Sequence, residues 1–131
     1  MRYTKLGKSE LNVSRICLGC MDFGDSLNGQ HSWTVDEEET RSIIKYALEN
    51  GINFFDTAIA YQNGTSDQFV GTSLRNFAKR DDYVIATKFL PRTVEEIESN
   101  ISGQQHIEKS INQSLKYLGL DYVDLYIYHM W

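Results

Sequence analysis

The sequence predicts an α/β protein built on a parallel sheet, and three observations carry that expectation. Four short apolar runs alternate with helical apolar stripes; successive runs are spaced at roughly 30 to 40 residues; and glycine or Asn-Gly closes helical segments. That spacing is what βαβ units need, since a parallel strand can be reached only by a crossover. No low-complexity tract and no second compositional regime interrupts the pattern, and 131 residues fit one domain.

The elements follow in order. RYTKLGKSELNV reads as a small polar hairpin turning at Gly7-Lys8-Ser9. Ile16 to Leu18 form the first buried strand, closed by Gly19, and residues 22–33 form a polar, glycine-bearing loop. Thr34-Val35-Asp36-Glu37 has the spacing of a capping box, and Ile43, Ile44, Ala47 and Leu48 supply the stripe of the helix behind it. Asn50-Gly51 ends that helix with residues that tolerate a left-handed turn. Asn53-Phe54-Phe55 is the second strand, stopped by Asp56-Thr57. A second box, Thr65 to Gln68, opens a helix with Phe69, Val70 and Leu74 on one face. Tyr83 to Thr87 is the third strand, followed by Lys88. The long connection from Pro91 to Gly103 contains Thr93 to Glu96, spaced to cap a short helical turn. Ser102 to Gln105 then caps a helix with Ile107, Ile111, Leu115 and Leu118 along it, and Gly119 ends it. Tyr122 to Tyr128 is the fourth strand, with His129 next.

Composition excludes several classes of partner. The net charge is -5, and lysine and arginine are scattered rather than clustered, which argues against a nucleic-acid surface or an anionic membrane. No apolar run approaches the roughly 18 residues of a membrane span. The opening MRYTKLGKSELNV lacks the apolar core of a secretory signal, so a cytoplasmic location is expected. Cys17 and Cys20 match C-x-x-C, but a redox pair should open a helix and here the loop MDFGDSLNGQ follows. His31, His106 and His129 are not spaced as a second ligand pair for zinc. The two cysteines therefore read as strand and strand-end residues, and no metal is expected.

Parallel strands present their C-terminal ends on one side of the sheet, where such folds place their chemistry. Asp56, Lys88 and His129 each follow a different predicted strand, Gly19-Cys20-Met21 follows another, and Tyr61 lies on the loop that Asp56 begins. Singly, each has an ordinary explanation: an aspartate often punctuates a turn, and a lysine after a strand is usually solvated. Together they make three ionisable types ending three apolar strands toward one mouth. Free tyrosine titrates near 10 and donates a proton poorly at neutral pH. An ammonium beside a phenol favours the phenolate, a carboxylate keeps that ammonium charged, and a histidine can hydrogen-bond a carbonyl oxygen. This set suits reduction of a C=O group by hydride, which a nicotinamide cofactor must supply. No G-x-G-x-x-G follows the first strand, so the cofactor would bind in a barrel mouth rather than in the Rossmann manner.

At these residues the chain resembles the aldo-keto reductase family, specifically its N-terminal half. FFDTAIAY resembles the family's Asp-Thr-Ala-x-x-Tyr segment, IATKF its strand-end lysine, SLKYLGLDYVDLYIYH its helix, strand and histidine, and LGCMDFG its first cofactor-side loop. The resemblance implies a (β/α)8 TIM barrel, NADPH, and reduction of aldehydes or ketones to alcohols. It implies Tyr61 as proton donor, Lys88 and Asp56 as its tuners, and His129 as the residue that positions the carbonyl. Gly19, Cys20 and Met21, with Asp56, would lie near the nicotinamide. Gln62 stands where the family often has glycine, and Asp67 where it usually has glutamate.

A TIM barrel has eight βα units in about 250 residues, whereas this chain runs just past its fourth strand. Residues 1–131 are accordingly expected to be an N-terminal half-barrel: the hairpin, about the first four strands and three helices, with the C-terminal half and its adenosine and phosphate contacts absent. Open edge strands predict self-association, and the chain by itself is expected to be inactive. Two other readings remain: a cofactor-sensing regulatory subunit resembling the potassium-channel beta subunits, and an inactive truncated half-barrel.

Overall fold

The computed structural model describes residues 1–130. Tyr3–Lys5 (β1) and Asn12–Ser14 (β2) pair antiparallel, with Thr4 opposite Val13. Leu18–Gly19 (β3), Phe54–Asp56 (β4), Val84–Phe89 (β5) and Leu125–Tyr128 (β6) form one parallel sheet in the order β3-β4-β5-β6. Helices Glu37–Glu49 (α1), Thr65–Phe77 (α2) and Gly103–Leu118 (α4) occupy the three crossovers, and the short Val94–Glu98 (α3) precedes α4.

The register sorts the strand residues onto two faces. Leu18, Phe55 and Ile85 lie in one row. Phe55 and Ile85 are fully buried there against Ile44 and Ala47 of α1, Val70 and Leu74 of α2, and Leu118 of α4. Burying such side chains stabilises the fold by about 1.5–3 kcal/mol each. Gly19, Asp56, Ala86 and Leu125 make the next row, whose side chains point to the opposite face. Lys88, two residues beyond Ala86 and opposite Ile127, shares that face. His129 continues it one residue past β6, where its N–H donates to the Phe89 carbonyl at 3.0 Å. Asp56, Lys88 and His129 are thus brought together by strand alternation alone.

Helices α2 and α4 meet at Gly71, where a Cβ would lie 2.1 Å from the Leu118 carbonyl oxygen. Only glycine lets the two backbones approach so closely. At the other end of the sheet, Arg80 and Asp124 pair at 2.8 Å and the Arg80 guanidinium lies 3.8 Å over the Tyr122 ring.

Several boundaries differ from the sequence expectation, each for a local reason. The first strand begins at Leu18 rather than Ile16; Ile16 is exposed and its carbonyl is taken by the Ser14 hydroxyl at 2.6 Å. Helix α1 is capped by Asp36, whose carboxylate accepts from the Glu39 N–H at 2.9 Å, and not by Thr34, whose buried hydroxyl is already engaged by Gln62. Thr65 does not cap α2 either. Its hydroxyl donates to the Gln62 carbonyl and accepts from the Asp25 N–H, and left-handed Gly64 occupies the cap position. Strand β5 continues through Phe89, so Lys88 lies inside it. Strand β6 begins only at Leu125 because the Asp124 carboxylate takes the Ile85 N–H, substituting for a backbone partner. Of the expected α4 stripe, Leu118 is buried, Ile111 and Leu115 are half-buried and Ile107 is exposed, while His106 and Ser114 join the buried side. The boxes at Thr93 and Ser102 both form, and the first of them adds a fourth α-helix to the three expected.

Candidate active site

Each functional side chain is held by backbone that is itself tied to the sheet. Beyond β4, the Thr57 N–H donates to the Ala86 carbonyl at 2.9 Å and the Ile59 N–H to the Lys88 carbonyl at 3.2 Å, which extends the ladder into the loop. The chain then tightens into a 3-10 turn, Tyr61–Gly64, that swings Tyr61 back over the strand ends. Lys88 Nζ stands at the centre, 2.9 Å from Asp56 Oδ2, 2.8 Å from the Thr57 carbonyl oxygen and 3.2 Å from Tyr61 Oη. The rings of Tyr61 and His129 meet edge to face with centroids 5.5 Å apart. A cleft of about 360 Å³ opens beside them, lined by Met21, His31, Tyr61, Leu90 and His129 among others.

Burial works against the charge of Lys88, but its hydrogen bonds to Asp56 and Tyr61 and the Asp56 carboxylate outweigh it, holding the ammonium above the ordinary lysine range. His129 is shifted down, by burial first and by the Lys88 charge second, so it is neutral at pH 7. Its Nδ1 is buried without a partner among the described residues, which leaves Nε2 as the ring atom able to meet a ligand. A permanent cation therefore touches a phenol, and a neutral imidazole stands beside them. That arrangement can deliver a proton to an oxygen on which negative charge develops.

The other side of the mouth is formed by the end of β3. Space above Gly19 is open, Met21 is exposed, and the Asp56 carboxylate is about one-third accessible. An accessible glycine beside an accessible carboxylate and a proton-donating group fits a flat nicotinamide ring. Cys20 differs from its neighbours: it is fully buried, its N–H donates to Asp56 and its carbonyl accepts from Ser66. Burial pushes its thiol far upward, and the exposed Cys17 thiol is pushed up to about 11 by desolvation and by Asp56. Both cysteines are free, and neither has the lowered pKa of a reactive thiol. No group of three or more metal-ligating side chains occurs among the described residues, and no helix there is long and apolar enough to cross a membrane.

Beneath the site lies Asp67, completely buried, accepting from the Thr57 hydroxyl at 2.7 Å. Thr57 thus joins two layers, its hydroxyl held by Asp67 and its carbonyl holding Lys88. Burial raises the Asp67 carboxyl to about 6, against a weaker opposing effect from the Thr57 hydrogen bond. A carboxyl whose folded pKa exceeds its unfolded value contributes stability that is complete below the unfolded value and is lost as pH rises through about 6. The expected loss is on the order of 2–3 kcal/mol. Asp67→Asn keeps an acceptor for Thr57 and removes the titration. Denaturant melts from pH 4 to 7 should show the wild type losing stability that the variant retains; parallel pH profiles would contradict this.

Asp56, Tyr61, Lys88 and His129 thus come together as the sequence led one to expect. Two neighbours of the cluster have no sequence signal: the Thr57 carbonyl, because a backbone acceptor has no signature, and His31, which lines the cleft from a loop with no periodicity. Gln62, directly after Tyr61, is what ties the cluster to that loop, through both ends of its amide.

A half-wound parallel sheet thus carries a Tyr-Lys-Asp-His cluster at the C-terminal ends of its strands. The profile of the Aldo/keto reductase family matches residues 15–131, and the chain belongs to that family. The probable voltage-gated potassium channel subunit beta of Arabidopsis thaliana is 35% identical over 98% of this chain and 37% of its own length. The aryl-alcohol dehydrogenase [NADP(+)] of Phanerodontia chrysosporium is 31% identical over 98% of the chain and 37% of its own length. Among solved structures, the holo form of aldo-keto reductase AKR11C1 from Bacillus halodurans superposes with a TM-score of 0.75 at 33% identity, covering 97% of this chain and 40% of that one. The fold is therefore that of a (β/α)8 barrel, of which this chain provides four strands. It spans little more than a third of the curated relatives it matches.

Proposed function

We propose that the chain supplies the catalytic half of an NADPH-dependent aldo-keto reductase that reduces an aldehyde or ketone to an alcohol. The observation that carries this reading is the contact of one lysine ammonium with Asp56, the Thr57 carbonyl and Tyr61 Oη at a cleft that also admits His129. Bound nicotinamide would supply the hydride that adds to the carbonyl carbon. Tyr61 gives its phenolic proton to the carbonyl oxygen as charge develops there, and Lys88 stabilises the phenolate left behind. Asp56 keeps Lys88 charged and fixed. Neutral His129 donates from Nε2 to the same oxygen and sets its direction. Gly19, Met21 and Asp56 border the nicotinamide side, and Cys20 contributes there through the backbone it anchors. The relative named for NADP(+) supports this choice of cofactor. A cytoplasmic setting, where thiols such as Cys17 stay reduced, accords with it.

The sheet has two edge strands, β3 and β6, and Leu125 and Ile127 on the site's face remain partly exposed. Either self-association or a C-terminal half-barrel would cover them. The potassium-channel relative favours a second reading, a cofactor-sensing regulatory subunit; an inactive half-barrel is the third. One experiment separates them. Residues 1–131 are purified, sized in solution, and assayed for NADPH oxidation with a reactive aldehyde, alone and mixed with the C-terminal half of a relative. The expected result is association and no steady turnover alone, with turnover on mixing. A monomer that turns over alone would overturn the half-barrel account; cofactor binding without turnover in the completed barrel would favour the regulatory reading.

A further inference from the structure

Gln62 follows Tyr61 directly, is 1% exposed, and adopts a left-handed backbone conformation at φ +47°. That region is unfavourable for any residue with a Cβ, and glycine would enter it freely. The side chain explains why glutamine is there. Its Oε1 accepts from the His31 N–H at 2.9 Å; its Nε2 donates to the carbonyls of Asp25 at 2.8 Å and His31 at 2.7 Å, with Thr34 Oγ1 further off at 3.3 Å. Both ends of the amide are therefore spent on the loop between β3 and α1. The loop is cut to receive it: a Cβ on Gly24 would lie 2.6 Å from Gln62 Cβ, and one on Gly29 2.6 Å from Gln62 Cα. Thr65 adds a second tie by accepting from the Asp25 N–H at 2.9 Å.

What this loop presents to the cleft is Gln30 and His31, which line it together with Tyr61 and His129. His31 is backed by Trp33, stacked on it with centroids 4.5 Å apart. We propose that Gln62 is a specificity-determining positioning residue: it clasps the loop of residues 24–34 so that Gln30 and His31 stand as a fixed wall for the substituent of the carbonyl substrate. This rests on the reading of Tyr61 as proton donor. The cleft, which Met21, Leu90 and Met130 line together with His31, suits an aromatic or other flat apolar substituent. A short alkyl aldehyde has little apolar surface to lay against that wall, so the clasp is expected to act more on the aromatic class than on the short one.

Gln62→Gly tests the clasp, because glycine accepts the backbone conformation while deleting every side-chain tie. Gln62→Glu is the second variant; it keeps the acceptor for the His31 N–H but sets a carboxylate against two carbonyl oxygens. In hydrogen exchange on the 131-residue chain, both variants should lose protection at the His31 amide and its loop, by about tenfold or more for Gln62→Gly. This arm requires no turnover. In the barrel completed by a relative's C-terminal half, Gln62→Gly should raise KM for benzaldehyde by about tenfold with a smaller change in kcat, and shift propanal far less. Unchanged protection in the loop would overturn the clasp. Equal losses for both aldehydes would overturn its role in specificity, leaving only a structural one. If the completed wild type reduces neither aldehyde, the reductase reading fails and so does the specificity assignment, while the exchange result still decides the clasp.

Discussion

Tyr61→Phe is expected to lower carbonyl turnover in the completed barrel by about 10²–10⁴-fold, the range for loss of a general acid. The substitution removes a single oxygen. The ring keeps its edge contact with His129, and Lys88 keeps Asp56 and the Thr57 carbonyl as partners. Nothing on the Gly19 and Met21 side of the mouth depends on the hydroxyl, so NADPH affinity should be spared. kcat and kcat/KM should fall together, because the lost interaction belongs to the transition state. Steady-state kinetics with an aldehyde, alongside NADPH binding followed by fluorescence, check both halves. Near-normal reduction by the variant would remove Tyr61 from the mechanism.

Lys88→Met has the second large effect, and it reaches stability as well as rate. The ammonium is the common partner of three oxygens. Without it the phenolate formed on proton transfer is unsupported, and turnover is expected to drop by roughly 10²-fold or more. Asp56, two-thirds buried on the site's face, loses its counter-ion, and the Thr57 carbonyl loses its donor. Stranding these groups should cost about 1–3 kcal/mol. Lys88→Arg retains charge but replaces a compact ammonium with a planar fork too wide for three converging oxygens, so it should recover stability before it recovers rate. Denaturant melts and kinetics on the two variants test this; equal rates for wild type and Lys88→Met would place Lys88 outside the chemistry.

The strand-borne parts of the site were legible because they follow from strand order and alternation, whereas Tyr61 was placed only by the loop that Asp56 begins. Asp56, Lys88 and His129 end neighbouring parallel strands, and a period of two puts them on one face whether β5 stops at Thr87 or at Phe89. The capping boxes at Thr93 and Ser102 were legible because in each the two side chains bond backbone N–H groups of the same turn, and the approach of Lys109 and His106 to Glu96 does not displace them. The box at Thr34 failed where Gln62, distant in sequence, engaged its hydroxyl, and the box at Thr65 where its hydroxyl was taken up between the nearby Gln62 carbonyl and the distant Asp25 N–H. Likewise, Asp124 substituted a carboxylate for backbone pairing and shortened β6, which no apolar pattern could reveal. Local signals gave the frame, and long-range polar contacts decided where it departs from them.

The central claim is that this cluster serves hydride reduction of a carbonyl, and the isotopic content of the product tests it most directly. Benzaldehyde is incubated with the completed barrel and NADPH carrying deuterium at the transferable position of the nicotinamide, in ordinary water. The account predicts benzyl alcohol with one deuterium on its carbinol carbon and a solvent-derived proton on oxygen. Cofactor consumption without alcohol, or alcohol with no deuterium from any transferable position, would contradict it.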